Sequence, residues 1–233
     1  MAVYAGTSGF AYPQWKPAFY PKNVPAKRFL EYYATRLNSV EVNYTFRRLP
    51  SAKVLEGWAA ATPPGFAFSL KAHQNLTHIM KMQNAESFTG AFLKAIEPLR
   101  AARRLGVVLY QFPPTFKIDL ARLDGYLPLL PGDIRFAFEF RHTSWLTDEV
   151  YRRLEQRNMA LCLAESDKLE IPKVLTAGFG YFRLRKGDYS PEARAEIIER
   201  VKSLGRDAYV YFKHEEDPNG ALWAEELLAA TRS

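Results

Sequence analysis

Short runs rich in β-branched and aromatic residues alternate along the chain with longer stretches whose apolar positions recur at helical spacing. The short runs return roughly every 25 to 35 residues, as the strands of βα units do. Eight are legible: 3–6 (VYAG), 40–45 (VEVNYT), 66–72 (FAFSLKA), 107–112 (VVLYQF), 135–140 (RFAFEF), 160–165 (ALCLAE), 180–185 (GYFRLR) and 208–213 (AYVYFK). Between most of them lies a helix. Pro25 leads into a stretch with Phe29, Leu30, Tyr33 and Leu37 on one face, and Ser51 is placed to cap a helix through Trp58 that Thr62-Pro63-Pro64-Gly65 ends. Further helices are expected over 85–104, 120–130, 147–157, 190–204 and 220–231, the last three with Thr147, Ser190 and Asn219 where an N-cap belongs. The link 166–179, with Pro172 and Gly178 inside it, is too short for a full crossover helix, so a short or irregular connection is expected between strands 6 and 7. The pattern predicts an α/β fold, a single (β/α)8 TIM barrel over residues 1–233. An open doubly wound sheet fits less well, because no Gly-rich dinucleotide loop follows the first strand.

Residues of one parity on a strand share a face. Val40 and Val42 oppose Glu41 and Asn43; Phe66, Phe68 and Leu70 oppose Ala67, Ser69 and Lys71; Phe136, Phe138 and Phe140 oppose Ala137, Glu139 and Arg141. Phe182 and Leu184 oppose Tyr181, Arg183 and Arg185, and Val210 and Phe212 oppose Tyr209, Tyr211 and Lys213. The aromatic face is expected against the helices and the polar face inside the barrel, with Gln111 in register with Val107 and Leu109 on the fourth strand. The ionisable residue falls toward the C-terminal end of each strand, where barrel enzymes build their sites. Glu41, Asn43, Lys71, Gln111, Glu139, Arg141, Arg183, Tyr211 and Lys213 are therefore expected to converge on one mouth. Burying so many charges for stability alone is unrewarding, so the set implies a wet, charged cavity.

Composition sharpens this picture in three ways. The chain is basic, with 32 Lys+Arg against 25 Asp+Glu, and the excess belongs to residues 1–117, which carry 15 basic and 5 acidic side chains. Such asymmetry favours an anionic partner for that half, and is also compatible with a solvated surface. No stretch approaches the roughly 18 apolar residues of a membrane span, and the N-terminus lacks a basic start followed by an apolar run, so a cytoplasmic protein without a membrane partner is expected. A single cysteine, Cys162, leaves no internal disulfide and no thiolate-clustered metal site, and its mid-strand position predicts an inert buried thiol.

Several motifs carry a family resemblance: Gly6-Thr7-Ser8-Gly9-Phe10-Ala11-Tyr12, Trp15, Phe19-Tyr20-Pro21, Val40-Glu41-Val42-Asn43-Tyr44-Thr45-Phe46 with Leu49-Pro50, and Trp58 with Thr62-Pro63. They continue through Phe68-Ser69-Leu70-Lys71-Ala72, Thr77-His78, Leu109-Tyr110-Gln111-Phe112-Pro113-Pro114 with Phe116, Phe138-Glu139-Phe140-Arg141-His142 with Ser144-Trp145, and Tyr209-Val210-Tyr211-Phe212-Lys213-His214-Glu215. In combination they resemble the YecE-like family, domain of unknown function 72, over nearly the whole chain. The resemblance implies a (β/α)8 barrel and an activity that is not established. Suggestions of nucleic-acid association rest on similarity to barrel nucleases of the endonuclease IV type.

Glu41 and Glu139 are the candidate catalytic pair, since two carboxylates in different charge environments can divide acid and base roles. Glu139, beside Arg141, is expected to be ionised, leaving Glu41 as proton donor; the alternative is that both simply neutralise their basic neighbours. Lys71, Arg141, Arg183 and Lys213 suit a phosphate or carboxylate. Trp15, Tyr20, Tyr44, Phe46, Trp145 and Tyr189 lie in loops after strands and are candidates to stack on a base or sugar, half of them expected instead to cap the barrel. Ser8, Asn43, His78, Gln111 and Tyr211 complete the candidate ligand-binding set, with basic groups in 16–27 and at Arg47 and Arg48 near the rim. Four histidines are too few for a trinuclear metal centre. A single divalent metal on carboxylates and one histidine is compatible with the residues but has no spaced motif behind it, and no cofactor is predicted. The leading reading is a hydrolase or lyase acting on an anionic ligand, phosphate-containing or nucleic-acid-like. The alternatives are a non-catalytic nucleic-acid-binding protein and a glycosidase-like enzyme using paired carboxylates.

Overall fold

Each β-rich run forms a strand, because its two faces meet two different apolar environments. In the computed structural model, which describes residues 1–165 and 173–231, the strands are β1 (Val3–Thr7), β2 (Ser39–Val42), β3 (Ala67–Lys71), β4 (Leu105–Gln111), β5 (Arg135–Glu139), β6 (Ala160–Glu165), β7 (Phe179–Leu184) and β8 (Asp207–Phe212). All paired strands are parallel, in the order β1-β8-β7-β6-β5-β4-β3-β2. The outward aromatics, among them Phe68, Phe136, Phe138 and Phe182, are buried against the surrounding helices, while Leu109, Ala137, Cys162, Tyr181, Tyr209 and Tyr211 form a second core inside the barrel. The parity read from sequence holds on both sides of the sheet.

The helices are α1 (Phe29–Arg36), α2 (Tyr44–Arg47), α3 (Ala52–Ala60), α4 (Glu86–Ala101), α5 (Leu120–Tyr126), α6 (Asp148–Glu155), α7 (Pro191–Lys202) and α8 (Asn219–Thr231). Ser51, Asp119 and Ser190 cap α3, α5 and α7 by accepting from the backbone N–H of Val54, Arg122 and Ala193. Thr147 holds the N-cap position of α6, but its side chain caps nothing. The expected short connection between strands 6 and 7 falls largely on residues 166–172, outside the described residues.

One strand departs from expectation. The second run was expected to extend to Thr45, but β2 ends at Val42, and Asn43 adopts helical angles (φ −88°, ψ −10°) at the start of α2. Thr45 locks this turn by donating its hydroxyl to the carbonyl of Lys71 at 2.7 Å. Asn43 therefore leaves the inward face.

β1 and β2, the ends of the hydrogen-bonded order, meet without a regular ladder. A single parallel bridge joins Ser8 to Glu41, with Gly9 N–H donating to the Glu41 carbonyl at 2.8 Å. Side chains close the rest of the seam. Asn38 accepts from Ala5 N–H at 2.9 Å and donates to the Val3 carbonyl at 2.8 Å, and Tyr33 OH accepts from Thr7 N–H at 2.8 Å while donating to the Ser39 carbonyl at 3.0 Å. Only glycine fits at position 6, since a Cβ there would lie 1.9 Å from the Ser39 carbonyl oxygen.

Candidate functional site

The barrel interior is filled in tiers. At its lower end Tyr4 and Tyr209 stack at 4.6 Å, and Arg135 donates to Tyr209 OH at 2.8 Å. Above them the Tyr211 hydroxyl bonds Ser39 Oγ at 2.6 Å and Ser69 Oγ at 2.7 Å. Tyr211, expected at the mouth, is thus fully buried in the packed interior, because its long side chain reaches across toward β2 and β3.

The upper tier is ionic. Arg183 on β7 is 3% exposed and lies between two carboxylates from β2 and β5. Its Nε and Nη2 donate to Glu41 at 2.9 Å and 2.8 Å, and its Nη1 donates to Glu139 Oε2 at 2.6 Å. Ser8 Oγ and Tyr181 OH also donate to Glu41, at 2.6 Å and 2.7 Å. Glu139 accepts from Gln111 Nε2 at 2.8 Å and from Arg141 Nε at 3.0 Å, and Arg185 Nη2 stands 3.2 Å from its Oε1.

These contacts decide the protonation states. Burial by itself would raise the pKa of Glu41, but the Arg183 charge and the donated hydrogen bonds hold it below the ordinary carboxylate value. Glu139 follows the same logic more strongly, with burial outweighed by Arg183, Arg185 and Arg141. Both are ionised, so the expected division into acid and base, with Glu41 as proton donor, does not fit the geometry. Parity placed Glu41 correctly, but its partner comes from a strand 142 residues away.

The basic groups separate in an unexpected way. Arg183 is enclosed by carboxylates, whereas Arg141 and Arg185 line a cavity of about 680 Å³ together with Lys186 and Lys213 and with the acids Glu215, Glu216 and Asp217. Arg185 is disfavoured as a cation by burial and by Arg183 and Arg141, and its Nε lacks a hydrogen-bond partner among the described residues. Lys213 is exposed at the rim, 3.6 Å from Glu215. Lys71, at the end of β3, has no ion pair or hydrogen bond to its Nζ among the described residues. The ammonium lies 3.9 Å from the centroid of the Phe46 ring, which packs T-shaped with the His78 ring at a centroid separation of 5.0 Å. Burial, then the Arg183 charge, bring Lys71 down to about 8. His78 is likewise lowered by burial and by Lys71 and Arg141, and its Nδ1 is 2.9 Å from Thr77 Oγ1.

Ser8, Gln111, Glu41, Glu139, Arg141 and Arg183 are thus in one network, with Lys71 and His78 beside it. Trp15, Tyr20 and Trp145 are not in it: all three are fully buried between loops and helices, where Trp15 packs on Tyr20 and Trp145 donates its indole N–H to the Phe116 carbonyl. Tyr189 is buried against Trp223. Asn43 instead lines a separate apolar cleft of about 300 Å³ with Phe10, Tyr12, Tyr44 and Trp58. The sequence reasoning missed Arg185 and Tyr181 as site residues, although both share Arg183's parity on β7 and could have been included by that signal alone. Cys162 lies in the inner core, its thiol raised by burial, as expected. No group of three or more His, Cys, Asp or Glu side chains suited to a metal exists among the described residues.

An eight-stranded parallel barrel with a charged C-terminal mouth defines a TIM-barrel protein. The chain belongs to the family described as "Protein of unknown function DUF72", whose model matches residues 4–233. UPF0759 protein YunF of Bacillus subtilis (strain 168) is 29% identical over 158 residues, 65% of this chain and 55% of that protein, so the match spans little more than half of that relative's length. A crystal structure of a DUF72 family protein from Thermotoga maritima MSB8 is 27% identical and superposes with a TM-score of 0.89 over 100% of both chains. A DUF72 family protein from Enterococcus faecalis V583, 18% identical, shares the fold with a TM-score of 0.81 over 99% of this chain and 96% of its own. Among the described residues no helix is long and apolar enough to cross a membrane.

Proposed function

We propose that the C-terminal mouth binds a small molecule carrying a phosphate or carboxylate group, held by Arg141 and Arg185 above Glu139, with Lys71 and Lys213 extending the positive field. The observation that carries this reading is the charge imbalance. Around Glu41 and Glu139, three guanidiniums and the Lys71 ammonium outnumber two carboxylates, and the 680 Å³ cavity that Arg141 and Arg185 line carries four cations, with Lys186 and Lys213, against the three acids Glu215, Glu216 and Asp217. An anion there would offset the mutual repulsion of Arg141 and Arg185. The proposed reaction class is hydrolysis or another lytic step on this ligand, with Glu41 and Glu139 acting as fixed anions that orient Arg183, Arg141 and Arg185 rather than as acid and base. The same ionised state argues against the glycosidase-like alternative, which needs one protonated carboxyl group.

Inorganic phosphate tests the reading by thermal unfolding. At about a hundred times its Kd it stabilises the fold by about 2.7 kcal/mol, roughly 5 to 10 °C for a chain of this size. Arg185→Gln and Arg141→Gln are expected to abolish that gain, and no gain for the parent protein at any tolerated phosphate concentration would defeat the reading. A nucleic-acid-binding surface is the second reading, favoured by exposed Tyr44 and Ile79 near Arg47, Arg48 and Lys81. Burial of Trp15, Tyr20, Trp145 and Tyr189 removes four of the six stacking platforms it would use.

A further inference from the structure

We propose that Lys71 is an imine-forming catalytic residue, its Nζ condensing with the carbonyl carbon of an aldehyde or ketone whose anionic group sits on Arg141 and Arg185. The proposal rests on the anion-binding reading above and adds the class of substrate and the covalent step. Lys71 is placed by β3 at the C-terminal end of the barrel, on the inward parity, with its carbonyl pinned by Thr45 and its ammonium over the Phe46 face. It is the one lysine of the strand ends that combines partial burial with the lack of a carboxylate contact among the described residues. Lys213, by contrast, is exposed and faces Glu215. Neighbouring cations and desolvation are the two devices by which proteins make a lysine nucleophilic, and both act here.

The charged and titratable groups around it are Arg183 from β7, Arg141 and Glu139 from β5 and its following loop, Glu41 from β2, and His78 from the turn after β3. A lysine titrating near 8 leaves about a tenth of its molecules as free amine at pH 7, roughly 200-fold more than an ordinary lysine. In the condensation, the amine adds to the carbonyl carbon, the carbon–nitrogen bond forms, and the carbonyl oxygen departs as water with the two amine hydrogens. No oxidant or reductant is needed. Protonation of the imine yields a cation that the Phe46 face can stabilise as it does the ammonium, and such an iminium is an electron sink suited to a lytic step on the adjacent carbon.

The test is reductive trapping on the intact protein. Pyridoxal 5′-phosphate, an aldehyde with a phosphate, and 5′-deoxypyridoxal, a matched aldehyde that has no phosphate and cannot close to an internal hemiacetal, are each added with cyanoborohydride across pH 6 to 10, and the modified lysines are mapped by mass spectrometry. The expected result is labelling of Lys71 at least about tenfold above the average lysine near pH 7, with a midpoint near 8, stronger for the phosphorylated aldehyde and suppressed by inorganic phosphate. Lys71→Arg should remove that adduct and no other. Labelling of Lys71 no faster than surface lysines overturns the imine proposal, and leaves the phosphate-stabilisation result to stand or fall independently. Preferential labelling of Lys71 with no advantage for the phosphorylated aldehyde keeps the nucleophile and overturns the anion site. Phe46→Leu, which removes the ring while keeping an apolar side chain, is expected to shift the labelling midpoint downward, a readout that a purely structural Phe46 would not move.

Discussion

Arg183 illustrates how a buried charge becomes a structural obligation. It is enclosed by Glu41 and Glu139, so truncating it leaves two ionised carboxylates without their main partner; Arg183→Met is expected to cost about 3–5 kcal/mol in chemical denaturation. Arg185 behaves oppositely. Its charged form is disfavoured in the folded state by burial and by neighbouring guanidiniums, so Arg185→Gln is expected to unfold at or above the parent temperature while losing the response to phosphate. The carboxylates also set an acid limit. Folded-state values of Glu41 and Glu139 lie below the unfolded value near 4.5, so their contribution is complete above that value and is lost as pH falls through the folded values. Thermal midpoints should therefore drop below about pH 4.5, with a shallower acid slope in Glu41→Gln. From sequence, the inward direction of these residues and the ionised state of Glu139 beside Arg141 were readable, but the ionised state of Glu41 was not, because it depends on the Arg183 guanidinium that meets it from a distant strand.

The seam between β1 and β2 shows the same division among strands. A barrel needs closure between its first and second strands, and here the closure is made by one bridge and by the side chains of Asn38 and Tyr33 rather than by a ladder. Asn38→Ala should leave the Ala5 N–H and Val3 carbonyl unsatisfied and cost about 2 kcal/mol. Hydrogen exchange would report it as faster exchange at Ala5 than at the amides of the β4–β5 ladder. The helices were largely legible, since capping residues such as Ser51 and Ser190 and the stop at Pro63-Pro64 act locally. The end of β2 was not. Val40 to Thr45 alternates as a strand should, yet the chain turns into α2 after Val42, where Thr45 bonds the distant Lys71 carbonyl.

For the molecule as a whole, the two readings of its positive charge separate by salt. A pocket ligand held by two or three cations loses little affinity between low and physiological salt, whereas a surface that neutralises six or more phosphates loses roughly a thousandfold or more between 50 and 200 mM. Titrating phosphate and a single-stranded oligonucleotide at both salts is expected to show weak dependence for phosphate and weak or steeply salt-sensitive binding for the oligonucleotide. Tight, salt-resistant oligonucleotide binding would contradict the pocket assignment. The (β/α)8 architecture, the inward and outward faces of each strand and the C-terminal location of the charged residues were determined by the sequence itself. They follow from period-two and helical repeats that act over a few residues. Tertiary structure decided which aromatics are core and which charges are paired. Arg183 reaches Glu139 across 44 positions of the chain and Glu41 across 142. Such meetings are set by the tilt and stagger of the closed barrel, which no local pattern encodes.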